Sequence, residues 1–310
     1  MTDSSGSNTL VDFSNQLASV VERAAASVVA VHARSRIAST GVHWRDGLIL
    51  TTDATIRRDE GITVTLPDGR VVPASIQGRD ASSDLAVLRV TDAGLPPAEL
   101  GEPATLRPGH IVLALARLDE NGPRVSFGAV SAVGGPWRTW KGAEYDRRIQ
   151  SGVTLHPGFG GGPLVDAAGQ VHGINSGGLS RRFATTIPVP SIERVLAHLV
   201  SKGYVPRSWL GVAMQPVKLS SQLRGILSLE NETGLLIMGL EHDGPAARSN
   251  LFVGDIIVGV DGQRVTEPDD VARVLGGEAV GKTLPFDVIR GGTRLSVDVT
   301  VGERPRGSRR

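Results

Sequence analysis

The chain has 310 residues, of which 40% are hydrophobic and 21% charged, and its formal net charge is +1 at pH 7. Such a composition is ordinary for a soluble globular protein, and the length allows two or three domains. A net charge this small creates no field that recruits nucleic acid, so no nucleic-acid partner is expected. Because cysteine is absent, disulfides and thiol catalysis are excluded.

The N-terminal segment, residues 1–26, reads as a polar tail followed by a helix. Apolar residues recur at helical spacing from Val11 to Ala26. The apolar stretch from Ala18 to Val31 is broken by Glu22 and Arg23, so no signal peptide or membrane span is expected. These features predict a cytoplasmic protein, or a periplasmic or extracytoplasmic one if a leader has been trimmed.

Residues 27–203 are predicted to form one domain built from short strands. β-Branched runs alternate with Gly, Pro and Asp turns from Val28 to about residue 188, as in all-β sandwiches and barrels. A helix is predicted over Pro190–Lys202, capped by Ser191 and ended by Gly203. A linker near Pro206 leads to a second domain over residues 208–303, and residues 304–310 form a basic tail.

Three segments carry a more specific signal. Residues 47–56 read GLILTTDATI, residues 78–90 read GRDASSDLAVLRV, and residues 149–165 read IQSGVTLHPGFGGGPLV. In order and spacing they resemble the His, Asp and Ser segments of the HtrA/Deg family of trypsin-like serine proteases. Residues 208–303, with the run GDIIVGVDG at 254–262, resemble the PDZ domain of that family. The resemblance implies a mainly β fold, a trypsin-like double six-stranded β-barrel followed by an α/β PDZ domain.

The resemblance places Ala54 at the family's His position, Asp84 at its Asp position and Gly160 at its Ser position. Serine catalysis needs a nucleophile, a base and a carboxylate that orients the base. Neither Ala54 nor Gly160 supplies its group, and neighbours such as Phe159 and Gly152 differ from the family pattern too. We therefore expect a catalytically inactive pseudo-protease that binds peptides, unfolded chains or partner proteins, as a scaffold, chaperone-like or regulatory subunit.

Two alternatives stay open. One is a serine-type endopeptidase with relocated catalytic residues, for which His156 lies near Ser151 and Ser176 in sequence. The other is a purely structural oligomer subunit. Family members commonly trimerise through the N-terminal segment, so the resemblance implies a homo-oligomer, and active HtrA paralogues are further candidate partners. The residues here that would form such a contact are Phe13, Leu17 and Val20.

The glycine loop is a candidate remnant of the old site. In the family the backbone N–H groups of this loop form the oxyanion hole, here those of Gly158 and Gly160, and such donors need no side chain. A surviving hole could bind a carbonyl or carboxylate without cleaving it, but we expect Phe159 or a flipped peptide to close the site.

Asp84 has lost the partner that the family pattern gives it. A buried carboxylate needs hydrogen-bond partners, so we expect hydroxyls from Thr51, Thr52 or Thr55 to contact it. Asp53 is interpreted as a solvated turn residue.

The PDZ resemblance implies a groove that binds protein or peptide C-termini by strand addition. The carboxylate loop falls on Trp209, Leu210, Gly211 and Val212. The helix opposite would line the groove with Val271, Val274 and Leu275. In the family, a loop corresponding to residues 134–148 relays PDZ occupancy to the active site, and here it holds Trp137, Trp140 and Tyr145. No cofactor or metal is expected, because the histidines are scattered and no Cys/His cluster exists.

Overall fold

The computed structural model describes residues 8–91, 94–139, 142–179, 184–276 and 279–305. The predictions made for the first seven residues, for Trp140 and for residues 306–310 of the basic tail lie outside these ranges. The chain divides into two compact units, Met1–Val205 and Pro206–Arg310.

The first unit begins with helix α1, Thr9–Ala25, and the helix predicted from Val11 is confirmed. Asn8 caps it, because its side-chain oxygen accepts a hydrogen bond from the N–H of Leu10. Val20 and Ala25 are buried. Of the three residues predicted for an oligomer contact, Val20 thus lies in the core, Leu17 packs against it, and Phe13 is 41% exposed.

Six antiparallel strands then close the first barrel, in the order β1-β2-β3-β6-β5-β4. Its core is rich in Val, Ile and Leu, whose branched side chains pack well on pleated strands. The strands are β1 Val28–His32, β2 Ser39–Arg45, β3 Leu48–Thr51, β4 Ile62–Thr65, β5 Val71–Asp80 and β6 Leu85–Val90.

A second barrel closes in the order β11-β14-β13-β12-β7-β8, so the predicted double six-stranded barrel is confirmed. A short hairpin, β9–β10, lies outside it. The strands are β7 Ile111–Ala116, β8 Arg124–Gly134, β9 Trp137–Arg138, β10 Glu144–Tyr145, β11 Arg148–Ser151, β12 Pro163–Asp166, β13 Val171–Ser176 and β14 Ala184–Pro188.

Helix α2, Val189–Lys202, packs beside both barrels and ends at Gly203, whose φ of +78° suits a residue without Cβ. The prediction that Ser191 caps this helix is wrong. Pro188 holds the cap position, and the buried Ser191 hydroxyl instead donates to Asp146 Oδ2 at 2.7 Å. Ile192, Leu196 and Leu199 form one face of α2 and are buried in the core that the two barrels share.

The second unit is a five-strand path, β16-β17-β18-β20-β21, with β19 paired to β18 and a separate β15–β22 pair. This confirms the predicted PDZ-like sheet. Its elements are β15 Ser208–Trp209, β16 Val212–Lys218, α3 Ser221–Leu227, β17 Thr233–Leu240, α4 Pro245–Arg248, β18 Ile256–Val260, β19 Gln263–Arg264, α5 Pro268–Leu275, β20 Thr283–Arg290, β21 Thr293–Thr300 and β22 Gly302–Glu303. Within the described ranges, every helix is too short or too polar to cross a membrane.

Candidate functional site

Asp84 lies between the two barrels, in the turn that joins β5 to β6. The N–H of Ala54, just after β3, donates to Asp84 Oδ1 at 2.8 Å. The hydroxyl of Ser176, at the end of β13, donates to Asp84 Oδ2 at 2.5 Å. Both Asp84 and Ser176 are buried. The structure thus brings the family's His and Asp positions together and adds a serine from the second barrel.

Sequence reasoning assigned the wrong hydroxyl to this carboxylate. The Thr51 hydroxyl donates to Thr40 O at 2.7 Å, and the Thr55 hydroxyl donates to Thr52 O at 2.7 Å. A hydroxyl has a single proton, so these two donors are committed elsewhere. The Thr52 hydroxyl lies 3.4 Å from that of Thr55 and donates to it.

Asp53 is not the solvated residue that the sequence suggested. Its carboxylate pairs with Arg79 Nε at 2.5 Å, and its side chain is only 12% exposed. Arg79 also bonds the carbonyl of Ile56, so one guanidinium ties β5 to the turn that holds Ala54.

Tyr145 contacts the turn that holds Asp84. Its hydroxyl donates to Ser83 O at 2.7 Å, next to Asp84. Burial raises the pKa of Tyr145 far above its usual value, and the nearby charges of Asp84 and Asp80 raise it further. The tyrosine therefore remains a neutral hydrogen-bond donor. Of the other aromatic residues expected in this connection, Trp137 packs edge-on against Tyr145, with ring centroids 5.3 Å apart.

The glycine loop before β12 is held to the first barrel through its carbonyl groups. Thr40 donates from its hydroxyl to Gly158 O at 2.8 Å and from its N–H to Gly160 O at 3.2 Å. The Phe159 N–H donates to His156 O, and the Phe159 ring is buried in the second barrel. The N–H groups of Gly158 and Gly160 donate to no atom of the described part of the chain.

The structure does not join the other residues considered for relocated catalysis. His156 is exposed and contacts the Phe159 ring. The buried Ser151 hydroxyl has no hydrogen-bond partner in the described ranges. Within the described ranges, no hydrogen bond links His156 to Ser151 or to Ser176. Ser176 instead faces Asp84, which the 92-residue separation between them concealed from sequence reasoning.

In the second unit, Leu210 and Gly211 form the turn that connects β15 to β16. Gly211 has a φ of +71°, and a Cβ there would approach the Trp209 ring at 3.1 Å. The carbonyls of Leu210 and Gly211 accept hydrogen bonds from Ala246 and Glu241. Their N–H groups make no hydrogen bond to a described residue. Two adjacent backbone donors are thus free to bind an anion.

The strand that follows this turn, β16, pairs on one side only and forms an edge of the sheet. Helix α5 packs beside it. Of the predicted groove residues, Leu210, Val271 and Leu275 lie in the core of the unit, whereas Val212 and Val274 are half-buried at its margin.

Two protein families match the chain. Residues 39–174 match the trypsin-like peptidase domain, and residues 208–301 match the PDZ domain. Each match lies within one of the two units described above.

Curated relatives match over most of the chain. A protein from Halomonas elongata named "Probable periplasmic serine endoprotease DegP-like" is 35% identical over 88% of this chain and 57% of its own length. A relative of the same name from Pseudomonas fluorescens is 36% identical over 84% of this chain and 55% of its own length. The chain therefore spans a little more than half the length of these relatives.

Solved structures match over nearly the whole chain. One titled "HtrA-type protease AlgW with tripeptide" is 32% identical, with a TM-score of 0.72 over 93% of this chain and 97% of that one. The serine endoprotease from Yersinia pestis is 29% identical, with a TM-score of 0.73 over 94% and 98%.

These comparisons correct two expectations. The prediction that the chain is no enzyme but a pseudo-protease is contradicted, because its relatives are named serine endoproteases. The prediction of a cytoplasmic location is contradicted, because the same relatives are named periplasmic. Ala54 and Gly160 had suggested inactivity, and the charged residues that break the apolar stretch from Ala18 to Val31 had suggested the compartment. The fold, both domain matches and the similarity to HtrA-type structures agree that this chain belongs to the HtrA/Deg family.

Proposed function

We propose that this protein binds the C-termini of proteins or peptides in the groove between β16 and α5. One observation carries the proposal: an unpaired strand edge begins at a turn whose Leu210 and Gly211 N–H groups have no partner in the described structure. A peptide that adds to β16 would place its terminal carboxylate on these donors. The half-buried Val212 and Val274 would contact its last side chain.

The test is fluorescence polarisation on the full chain with matched peptides ending in a free acid or an amide. Acid peptides with an apolar last residue should bind in the micromolar range, about −8 kcal/mol, and amidation should weaken binding at least tenfold. Gly211→Val should abolish binding, since its φ is +71°. Gly225→Ala is the matched control, because a Cβ there meets nothing within 4 Å. Equal affinity for the acid and amide peptides would refute recognition of the terminal carboxylate and would favour a purely structural subunit.

A second candidate function is serine-type endopeptidase activity with relocated catalytic residues. The names of the relatives support it. So does the Ser176 hydroxyl, which donates to the one triad carboxylate that is present, Asp84. The free N–H groups of Gly158 and Gly160 would stabilise the oxyanion of a tetrahedral intermediate. In this arrangement Asp84 would accept the hydroxyl proton as the oxygen attacks the peptide carbonyl. It would return that proton to the amide nitrogen as the C–N bond breaks and the amine leaves, and water would then hydrolyse the serine ester.

Fluorophosphonate labelling followed by mass-spectrometric mapping tests this candidate. Labelling should fall on one residue and be lost in Ser176→Ala. Ser201→Ala should label normally, since within the described part of the chain the Ser201 hydroxyl bonds carbonyls of its own helix, those of Ala197 and His198. A full chain that neither labels nor cleaves an unfolded substrate would eliminate the candidate.

The relatives also bear on where the protein acts and with what. We place it outside the cytoplasm, as their names indicate. We further propose a homo-oligomer, joined through α1, where Leu10, Val11 and Phe13 are exposed. Scaffold, chaperone-like and regulatory roles would use the groove, whereas co-assembly with active paralogues would use α1. Mass measurement in solution and affinity capture with Gly211→Val as the control separate these roles.

A further inference from the structure

Strand β16 presents alternate residues to its open edge. On its paired side, the Leu219 N–H donates to Glu232 O, and the Glu241 N–H donates to Gly211 O. In an antiparallel ladder, the residues between such bonds point their own N–H and C=O groups away from the partner strand. The register therefore turns the backbone groups of Val212, Met214, Pro216 and Lys218 outward.

A bond on the far side of β17 agrees with this assignment. Ile237 lies opposite Met214. Its N–H donates to Asp255 O at 2.8 Å, and its carbonyl accepts from the Gly254 N–H at 2.9 Å. The N–H and C=O of Ile237 therefore both point away from β16. Because Met214 finds no backbone partner on that side, its own N–H and C=O point to the open edge.

Pro216 interrupts the open edge at its middle. Proline has no N–H, and its ring carbon takes the place where the hydrogen would point. An added strand would bring a carbonyl oxygen to about 2.9 Å from that nitrogen, which the ring prevents. The proline does not disturb the pairing with β17. Pro216 lies opposite Leu235 of that strand, but its nitrogen points to the open edge.

Every second residue of an added strand would pair with every second residue of β16, so the position of Pro216 sets how many ligand residues can pair. This step rests on the proposed function, which puts the last residue of the ligand opposite Val212. The third residue from the end then lies opposite Met214, and the fifth lies opposite Pro216. We propose that the groove pairs with the last four residues of its ligand alone, and that Pro216 forces the preceding chain out of the sheet.

The experiment compares acetyl-capped peptides of four and eight residues that share their last four residues and end in a free, apolar carboxylate. On the full chain, the two dissociation constants should agree within about twofold. In Pro216→Ala, the eight-residue peptide should gain about three- to tenfold, as one or two added hydrogen bonds allow, while the four-residue peptide should not change. Pro285→Ala is the matched control, since Pro285 is an exposed proline within β20, away from β16.

Methylation of peptide nitrogens tests the same register without changing the protein. Methylation at the third residue from the end should weaken binding more than tenfold, and methylation at the fifth should change it less than twofold. Equal losses at both positions would overturn the length limit. So would an eight-residue advantage in the unaltered chain, or no gain in Pro216→Ala. Failure of every acid peptide to bind would instead refute the proposed function.

Discussion

The ion pair between Asp255 and Arg290 gives the sharpest stability prediction for the second unit. Asp255 is 1% exposed, and it receives Arg290 Nε at 2.8 Å, Arg290 Nη2 at 2.7 Å and the Phe252 N–H at 2.9 Å. Arg290 also lies over the Phe252 ring, 4.4 Å from its centroid. This cluster explains why an aspartate follows the glycine in the GDII segment, since its carboxylate fastens the loop to β20.

Arg290→Met should destabilise the unit by about 2–3 kcal/mol at pH 7. Removal of one partner from a buried pair costs about 3–5 kcal/mol, and the lower figure reflects the 34% exposure of the Arg290 side chain, which lets water solvate the abandoned carboxylate. The methionine keeps most of the apolar contact with Phe252, so the loss reports on charge.

The predicted loss depends on pH. Burial tends to raise the pKa of Asp255, but the hydrogen bonds from Arg290 and the Phe252 N–H outweigh it and hold the pKa below its usual value. In the native chain this pair therefore stabilises above the unfolded pKa of about 3.9, and the contribution disappears as pH falls through the lower folded value. Without Arg290, burial dominates and raises the pKa of Asp255. The difference in unfolding free energy between the variant and the native chain should therefore become smaller as the pH falls.

Hydrogen exchange of the β18 and β20 amides in the full chain measures the free energy of opening. Arg294→Met is the control, because the pair of Arg294 with Asp287 is exposed and should contribute no more than about 0.5 kcal/mol. If the two substitutions cost the same, the buried carboxylate is not what Arg290 stabilises.

Further outcomes follow from single positions. Hydrogen bonds from Thr266 and Glu267 N–H groups hold the pKa of Asp270 at about 2; Asp270→Asn should cost about 1 kcal/mol above pH 4 and nothing once pH falls below that pKa, as read from exchange of the α5 amides. Gly161→Ser should lower the melting temperature strongly, because a Cβ there would lie 2.0 Å from a backbone oxygen, whereas Gly160→Ser should leave it unchanged. Limited proteolysis should cut first within residues 203–207, where the two units meet in sequence.

The order of elements could be predicted because it depends on local patterns. β-Branched runs predicted short strands, and the family resemblance predicted that they close into two barrels. Gly203 correctly predicted the end of α2, since a residue with φ of +78° favours glycine. The partners of polar groups could not be predicted in the same way. Asp84 meets Ser176, and Ser191 meets Asp146, across separations of 92 and 45 residues that no spacing rule marks.

The loop at Gly160 shows why residue identity and site geometry must be considered separately. Thr40 holds this loop by the carbonyls of Gly158 and Gly160, so its shape does not depend on a side chain at residue 160. A Cβ at 158, 161 or 162 would meet atoms at 2.3 Å or less. At residue 160 the nearest neighbour would be Thr52 Oγ1 at 3.4 Å, an ordinary contact. The space for a nucleophile at this position therefore persists beside the N–H groups of Gly158 and Gly160, which have no partner among the described residues. Since residue 160 brings no oxygen to it, any peptide hydrolysis by this chain must draw its nucleophile from a neighbouring strand or turn, and the labelled residue would identify which.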